Sequence, residues 1–467
     1  MPAKADIIHD AASLYRFIES IESFCDVRRG FPAYLPASRE FLEFIGALAA
    51  SSKKYLLDFP SKLPTDLSRY PSFRQELKTL RYAWFEIHRR IKPIAEADTL
   101  HLPTPLVSGL ERRLRSVLRF QKTRFAVLHT ERLNYLQVVA SGIRDTTSRI
   151  STLVGSTSLP PQDLGLIGIP YSQAESVFMN CLIAHEVGHF VFGELQLLNS
   201  LSQPISDALV AAFASVLTQL TPEDRLRVPT VVAGWAEELF CDLFAVRLVG
   251  PCYTFAFAEI FDLTNNFNLN GTINPVAAAP AMEFSDSHPA DLYRVQKQVS
   301  SLTRLKWWDE VKDSKSLYKD LLEHCKTLNP SQFLFPAQVQ FQAYFIRAID
   351  RVSTDVETAV ESSLTGLETG VKEFALLRKT VQEYFHHGIV PSTIHHPSSA
   401  ETVSPSAVTL LNAAYQLYLE SLPALINRIE GQNAESVEHR SFWTQKLEAW
   451  TIKALEDLEL IASAERS

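Results

Sequence analysis

The sequence has little cysteine, no long apolar run and no excess of positive charge, and each shortage excludes a class of protein. Five cysteines, Cys25, Cys181, Cys241, Cys252 and Cys325, are few, odd in number and mostly set in apolar surroundings. That usage excludes a disulfide scaffold and suits buried thiols in a reducing cytoplasm. No apolar stretch reaches the roughly 18 to 20 uncharged residues that cross a bilayer. Asp6, Asp10 and Glu19 stand where a secretory leader carries its apolar block, so no membrane span is expected and the expected location is cytoplasmic. A formal net charge of −8 and a pI near 5.9 exclude a general nucleic-acid binder, so no nucleic-acid partner is expected. No internal repeat is found, and oligomeric state is not legible. What remains is a chain of 467 residues, 46% hydrophobic and 21% charged, long enough for a large buried core.

Helical periodicity dominates, giving a mainly α, multi-helix protein with at most a small β element. Apolar residues at Leu106, Leu110, Leu114, Val117, Phe125, Leu128, Leu136, Val139, Ile143, Ile150 and Leu153 read as one long helix or two nearly collinear ones. Arg112, Arg115, Arg119 and Lys122 share a face of it, either a solvated, salt-bridged stripe or a docking face for an acidic partner. Pro160, Pro161 and Pro170 mark a boundary that holds one short strand, Leu164–Ile169. Late in the chain, helices are expected over Leu302–Leu328, Pro336–Glu361, Leu367–His386, Pro405–Ile429 and Val437–Ala462, interrupted by an exposed loop, His387–Ser404. His395 and His396 in that loop read as solvated residues rather than a second metal site.

The most informative segment is His185-Glu186-Val187-Gly188-His189, an HExxH inside an apolar run. Histidines at i and i+4 project from one helical face roughly 6 Å apart, so two imidazoles can hold one metal while the glutamate sits beside its water. Met179, Cys181, Leu182 and Ile183 before it, and Phe190, Val191 and Phe192 after it, would bury Glu186, a costly place for a carboxylate without chemistry or a partner. The Ser172-to-Glu175 capping box predicts a helix from about Ser172 to Glu194, with the motif in its middle.

A catalytic zinc needs a third protein ligand and an open fourth position. Phe192 and Leu195 stand where an extended HExxHxxGxxH motif has its glycine and third histidine, so that variant is excluded. Glu238 and Asp242 lie at i and i+4 in a second apolar helix, about Thr230–Leu248, ended by Gly250-Pro251. Glu237 is the rival ligand, but its i+4 neighbour is Cys241, whose side chain helical geometry turns about 100° from that of Asp242. Between the motifs, 49 positions separate His189 from Glu238, and Ser206–Leu220 reads as an extra helix.

HExxH followed by ExxxD on a later helix resembles the gluzincin metallopeptidases. The resemblance implies a zincin-like catalytic core with Zn²⁺ on His185, His189 and Glu238, Glu186 as general base, and Asp242 as the partner that orients His185. Farther on, His288-Pro289 followed by Arg294 looks like the segment after ExxxD in the CAAX-prenyl-protease and HtpX type of gluzincins, which are generally membrane-embedded. Under that resemblance His288 stabilises the oxyanion, with Tyr293 a weaker candidate, and Arg294 braces the site by pairing with an acidic group. Taken alone, the same residues read as a capped helix start, with His288 as N-cap and Pro289 as first helical residue.

The resemblance spans roughly Asp163–Arg294 and does not cover the ends; the chain reads as a helical region over 1–155, a zincin-like metallopeptidase core over 156–300 and a helical region over 301–467. The expected function is a soluble zinc metallopeptidase acting on a protein or peptide; Leu164–Ile169 would align that substrate by backbone pairing. Another metal-dependent hydrolase, or a non-catalytic helical sensor or scaffold that keeps a zincin-like metal site, is the alternative.

Overall fold

The structure is a computed structural model that describes residues 4–29, 36–63, 69–96, 103–130, 136–138, 140–156, 164–170, 176–216, 220–260, 288–311, 323, 325–326, 339–422 and 437–464. In chain order the first elements are α1 (Lys4–Arg29), α2 (Pro36–Lys62), α3 (Tyr70–Glu96), α4 (Thr104–Arg115), β1 (Arg124–Thr130), β2 (Leu136–Val138), α5 (Ala140–Val154) and β3 (Leu164–Pro170). There follow α6 (Ile183–Glu194), α7 (Leu197–Phe213), α8 (Pro222–Val249), α9 (Pro251–Ile260), α10 (Asp291–Arg304) and α11 (Trp307–Val311). The last are α12 (Val339–Ser363), α13 (Val371–His386), β4 (Ile394–His395), β5 (Thr402–Val403), α14 (Ala407–Gln416) and α15 (Val437–Ala464). The protein is mainly helical, with two small sheets among the described residues.

Two compact units divide the chain, Met1–Thr104 with Lys122–Glu175, and Pro105–Gln121 with Ser176–Ser467. The division runs differently from the three regions read in the sequence, because 176–300 and 301–467 share a unit. In the first unit, α1 buries Ile7, Ala11, Leu14, Ile18, Ile21 and Cys25, a spacing of fours and threes that puts one apolar stripe against α2 and α3. The indole of Trp84, fully buried on α3, donates to Ser52 Oγ at 3.2 Å, so its one polar atom is satisfied.

The expected long helix over Leu106–Val154 is not formed. It breaks into α4, two strands and α5, because Phe125, Ala126 and Val127 are buried consecutively, which a helix with one buried face does not allow but a strand covered on both faces does. Arg112 and Arg115 are salt-bridged, to Glu459 and Glu111, as a surface stripe would be. The strand at Leu164–Pro170 forms where expected but occupies the centre of its sheet, parallel to β1 and antiparallel to β2. With partners on both sides it has no free edge with which to align a substrate.

In the second unit, α6 and α8 approach closely at Gly188. A Cβ there would lie 2.8 Å from the Cα of Cys241, so only glycine lets the helices meet at this separation. Gly250, at φ +77°, ends α8 as its left-handed cap, and Pro251 starts α9. Asn412 of α14 fastens this corner, accepting from the Cys252 N–H at 2.8 Å and donating to the Val249 carbonyl at 2.7 Å. Thus part of the C-terminal helical block supports the helices that carry the motifs.

Several helix bounds differ from expectation: α8 starts at Pro222 rather than about Thr230, and the extra helix read at Ser206–Leu220 is Leu197–Phe213. A 3₁₀ turn over Met179–Leu182 precedes α6, residues 176–178 are not helical, and the capping box at 172–175 lies outside the described residues. HExxH therefore lies in the first turns of α6 rather than mid-helix. Helix α10 begins at Asp291 with Ala290 as N-cap, whose carbonyl accepts from the N–H groups of Tyr293 and Arg294 at 2.9 and 3.1 Å. His288 and Pro289 are consequently outside the helix, and His288 is not its cap. The expected Leu302–Leu328 helix breaks at Lys306, which adopts φ +69°, before the short α11; most of the remainder lies outside the described residues.

Candidate metal centre

Helices α6 and α8, with the approach to α10, bring six sequence-selected residues together: His185, His189, Glu238, Asp242, His288 and Arg294. Their close packing follows from the glycine at 188 and from i, i+4 spacing on both motif helices. His185 Nε2 lies 3.3 Å from one Glu238 oxygen, and His189 Nε2 lies 3.4 Å from the other. His288 Nε2 is 3.4 Å from the oxygen that faces His189.

The other ring nitrogens meet carboxylates. Nδ1 of His185 is 3.0 Å from Asp242, and Nδ1 of His189 is 2.8 Å from Glu237. A carboxylate at Nδ1 holds a proton on that nitrogen, so that an ion bound at Nε2 would meet the tautomer a ligand needs. Glu237, considered above as a rival ligand, thus approaches the outer nitrogen of His189.

Asp242 is fully buried and takes donors from three directions. Besides His185, it accepts two bonds from Arg294 at 2.7 and 2.8 Å and one from the Tyr253 hydroxyl at 2.5 Å. The Arg294 side chain, only 4% exposed, also lies 3.2 Å from Glu238 and stacks its guanidinium 4.7 Å from the Phe257 ring centre. Tyr253 was missed by sequence reasoning. It reaches the site from α9, eleven positions past Asp242 and across the Gly250 corner, a placement that no spacing rule on one helix reveals. Glu237 was legible only as a neighbour of Glu238; its role required the position of α6.

Electrostatics follow from this packing. Burial alone would raise the Asp242 carboxyl, but the adjacent Arg294 charge and its hydrogen bonds hold it well below the usual carboxylate range. Burial works the same way on Glu238, and the contacts with His185 and Arg294 outweigh it, bringing it down to about 2. For His185, burial favours the neutral ring, whereas Asp242 and Glu238 raise it to about 10. Burial, reinforced by Arg294, lowers His288, while Glu238 opposes the shift. Asp291, at the start of α10, is pushed up to about 6 chiefly by burial.

Comparison with known protein families, curated proteins and solved structures finds no match. Glu238 Oε2 is buried without a hydrogen bond of good geometry, between His185 Nε2 at 3.3 Å and the Arg294 guanidinium at 3.2 Å, and a buried carboxylate so placed suits a cation beside the imidazoles. Separations of 3.3 and 3.4 Å exceed the 2.7–3.2 Å of good N–H···O bonds. Each is close to the edge of a tetrahedron built on ligand bonds of about 2.05 Å, roughly 3.3 Å, with the two histidines facing different Glu238 oxygens.

Among the described residues the group whose ligand atoms all lie within 4.8 Å of one another is His185, His189 and Cys241, without Glu238. The cysteine is thus close to both histidines, contrary to the expectation that its helix turns it aside. Its thiol is fully buried, and burial, with the charges of Glu238 and Glu237, raises it well above its ordinary value. Among the described residues no second group of this kind is found, the His395–His396 loop included. Glu186 is buried on α6 between the two histidines in sequence. The Tyr293 hydroxyl, by contrast, lies 3.4 Å from Asp350 of α12, which gives no support to an oxyanion role.

Proposed function

We propose that this protein is a zinc-dependent metallopeptidase of the gluzincin type, hydrolysing peptide bonds in a protein or peptide. The observation that carries the proposal is the paired orientation of two HExxH imidazoles, each with a carboxylate at Nδ1 and each turning Nε2 toward Glu238 at tetrahedral-edge distance. His185, His189 and Glu238 would hold the ion, with Asp242 and Glu237 fixing the rings and Arg294 holding both buried carboxylates of ExxxD in place. Zinc in such a site supplies Lewis acidity and water acidified to a pKa of about 7. Glu186 would then take a proton from the attacking water on its carboxylate and pass it to the departing amine nitrogen. Burial of Glu186 keeps competing solvent from this exchange.

A reducing, cytoplasmic setting fits five buried cysteines that form no disulfide. No described helix is long and apolar enough to cross a membrane, unlike the membrane-embedded relatives that the His-Pro segment resembles. A second reading, a non-catalytic scaffold with a structural metal, draws on Cys241 as a further donor.

The test is cleavage of unfolded casein and a mixed peptide library by zinc-loaded protein, beside Glu186→Gln. Cleavage is expected from the parent and loss by at least 10²-fold in the variant, with zinc retained, since an amide cannot take the proton. Equal cleavage by both would remove Glu186 from the mechanism. Zinc bound by the parent with no cleavage of either substrate would favour the scaffold.

A further inference from the structure

We propose that the outer side of α3 is a docking surface for an anionic lipid membrane, on which the protein lies without crossing it. Every residue involved belongs to the first unit, so this surface and the zinc centre stand or fall separately.

Helix α3 buries Leu77, Leu80, Ala83, Trp84 and Ile87, whose spacing of threes and fours makes one packed side. At about 100° per residue, the side facing away from them carries Arg74, Lys78, Arg81, Tyr82, Phe85 and Arg89 within an arc of about 100°. All six are exposed. Tyr82 is 68% exposed and Phe85 54%, two rings one turn apart and held outside the core that the same helix builds. A merely solvated helix face carries polar residues at such positions.

The charge on this arc is of one sign. Lys78 makes no ion pair among the described residues, and Arg81 donates to the Asp10 carbonyl at 3.2 Å, a partner without counter-charge. Arg74 meets the Asp10 carboxylate at 3.3 Å and Arg89 meets Glu86 at 3.0 Å, yet the two arginine side chains remain 45% and 65% exposed. Surface pairs of this kind hold their partners weakly. Of the carboxylates on the same stretch of helix, Glu76 accepts from the Tyr55 hydroxyl of α2 and Glu86 lies at the edge of the arc.

A chain of formal net charge −8 thus gathers cations and exposed rings on one helical face. Charge complementarity selects an anionic partner, and the rings select which one. On an acidic bilayer the cations meet the headgroups while Tyr82 and Phe85 enter the boundary beneath them. An acidic peptide would pair the cations but leave both rings in water. The six residues run about 23 Å along the outer side of a single helix, a shape suited to a flat surface, whereas polynucleotide backbones are tracked by grooves.

The experiment is co-sedimentation of the full chain with phosphatidylcholine vesicles carrying about one third phosphatidylserine, beside pure phosphatidylcholine, at about 50 and about 300 mM salt. Binding is expected on the anionic vesicles alone and should weaken at the higher salt. Lys78→Glu/Arg89→Glu should weaken it on the order of 10²-fold, since each cation near a charged leaflet contributes about fivefold and both are reversed. Tyr82→Ser/Phe85→Ser should weaken it about 10-fold with helicity unchanged by circular dichroism. Phe85→Trp gives a second readout, an emission that moves to the blue on anionic vesicles. No binding of the parent to those vesicles, equal binding by the charge-reversed variant, or an unmoved emission in Phe85→Trp would overturn the proposal. Tighter capture of a fluorescent single-stranded oligonucleotide or of polyglutamate than of anionic vesicles, lost in the charge-reversed variant, would overturn it in favour of a polynucleotide or an acidic protein.

Discussion

Replacing Arg294 by methionine should destabilise the second unit severely, because it leaves two carboxylates buried without their cation. The arginine makes two charge-assisted bonds to a fully buried Asp242 and an ion pair with Glu238. Removing one partner of such a buried network costs about 3–5 kcal/mol, most of it the penalty of the charges left behind. A unit of roughly 300 residues unfolds with an entropy of about 0.6 kcal/mol per degree, so its Tm should fall by about 5–8 °C. Methionine keeps much of the packing against Phe257, which isolates the charge effect from a cavity. Calorimetry on chelator-treated protein measures the fold without metal linkage. Adding Asp242→Asn to the same chain should recover part of the loss, since the amide needs no cation and the two changes are coupled. A Tm within about 1 °C of the parent for Arg294→Met would refute the view that this cation holds the ExxxD carboxylates in place. Full additivity of the two substitutions would refute their direct pairing.

Glu237→Ala should weaken zinc binding by on the order of 10-fold, as loss of an outer partner of a ligand histidine does, while Glu238→Ala should weaken it far more; chelator competition ranks them. Equal affinities for parent and Glu237→Ala would leave His189 without need of that carboxylate. Gly188→Ala places a methyl group 2.8 Å from the Cys241 backbone and should force α6 from α8, costing about 1–3 kcal/mol and lowering zinc affinity together. Unchanged stability and metal binding in that variant would show that the close approach is not needed to assemble the site.

Much of the site was legible because it lies on two helices with fixed internal spacing. The pairs His185/His189 and Glu238/Asp242 are each i, i+4, and a helix turns such pairs to one side whatever it packs against. The cap at Gly250 was legible for the same local reason. Contacts made between elements were not: Tyr253 on Asp242, Glu237 on His189 and the thiol of Cys241 near both histidines depend on how α6, α8 and α9 sit together. Late helices such as α12, α13 and α15 fall close to their expected spans because their apolar spacing is long and regular. The 106–154 stretch misled because its apolar residues fit a helical period only with skips, while Phe125–Val127 form a short buried strand run that periodicity cannot separate from helix. His288 shows the limit at an element boundary. A proline two residues early was enough to suggest a cap, yet the helix begins at Asp291 and the histidine is free to face Glu238.

Zinc stoichiometry is the most direct test of the metal centre. Elemental analysis of the purified full chain, after zinc loading and removal of loose metal, should give close to one zinc per chain in the parent and near zero in His185→Ala/His189→Ala, with Cys241→Ser retaining its metal. One zinc per chain in the double-histidine variant, or none in the parent, would contradict a centre built on HExxH and Glu238.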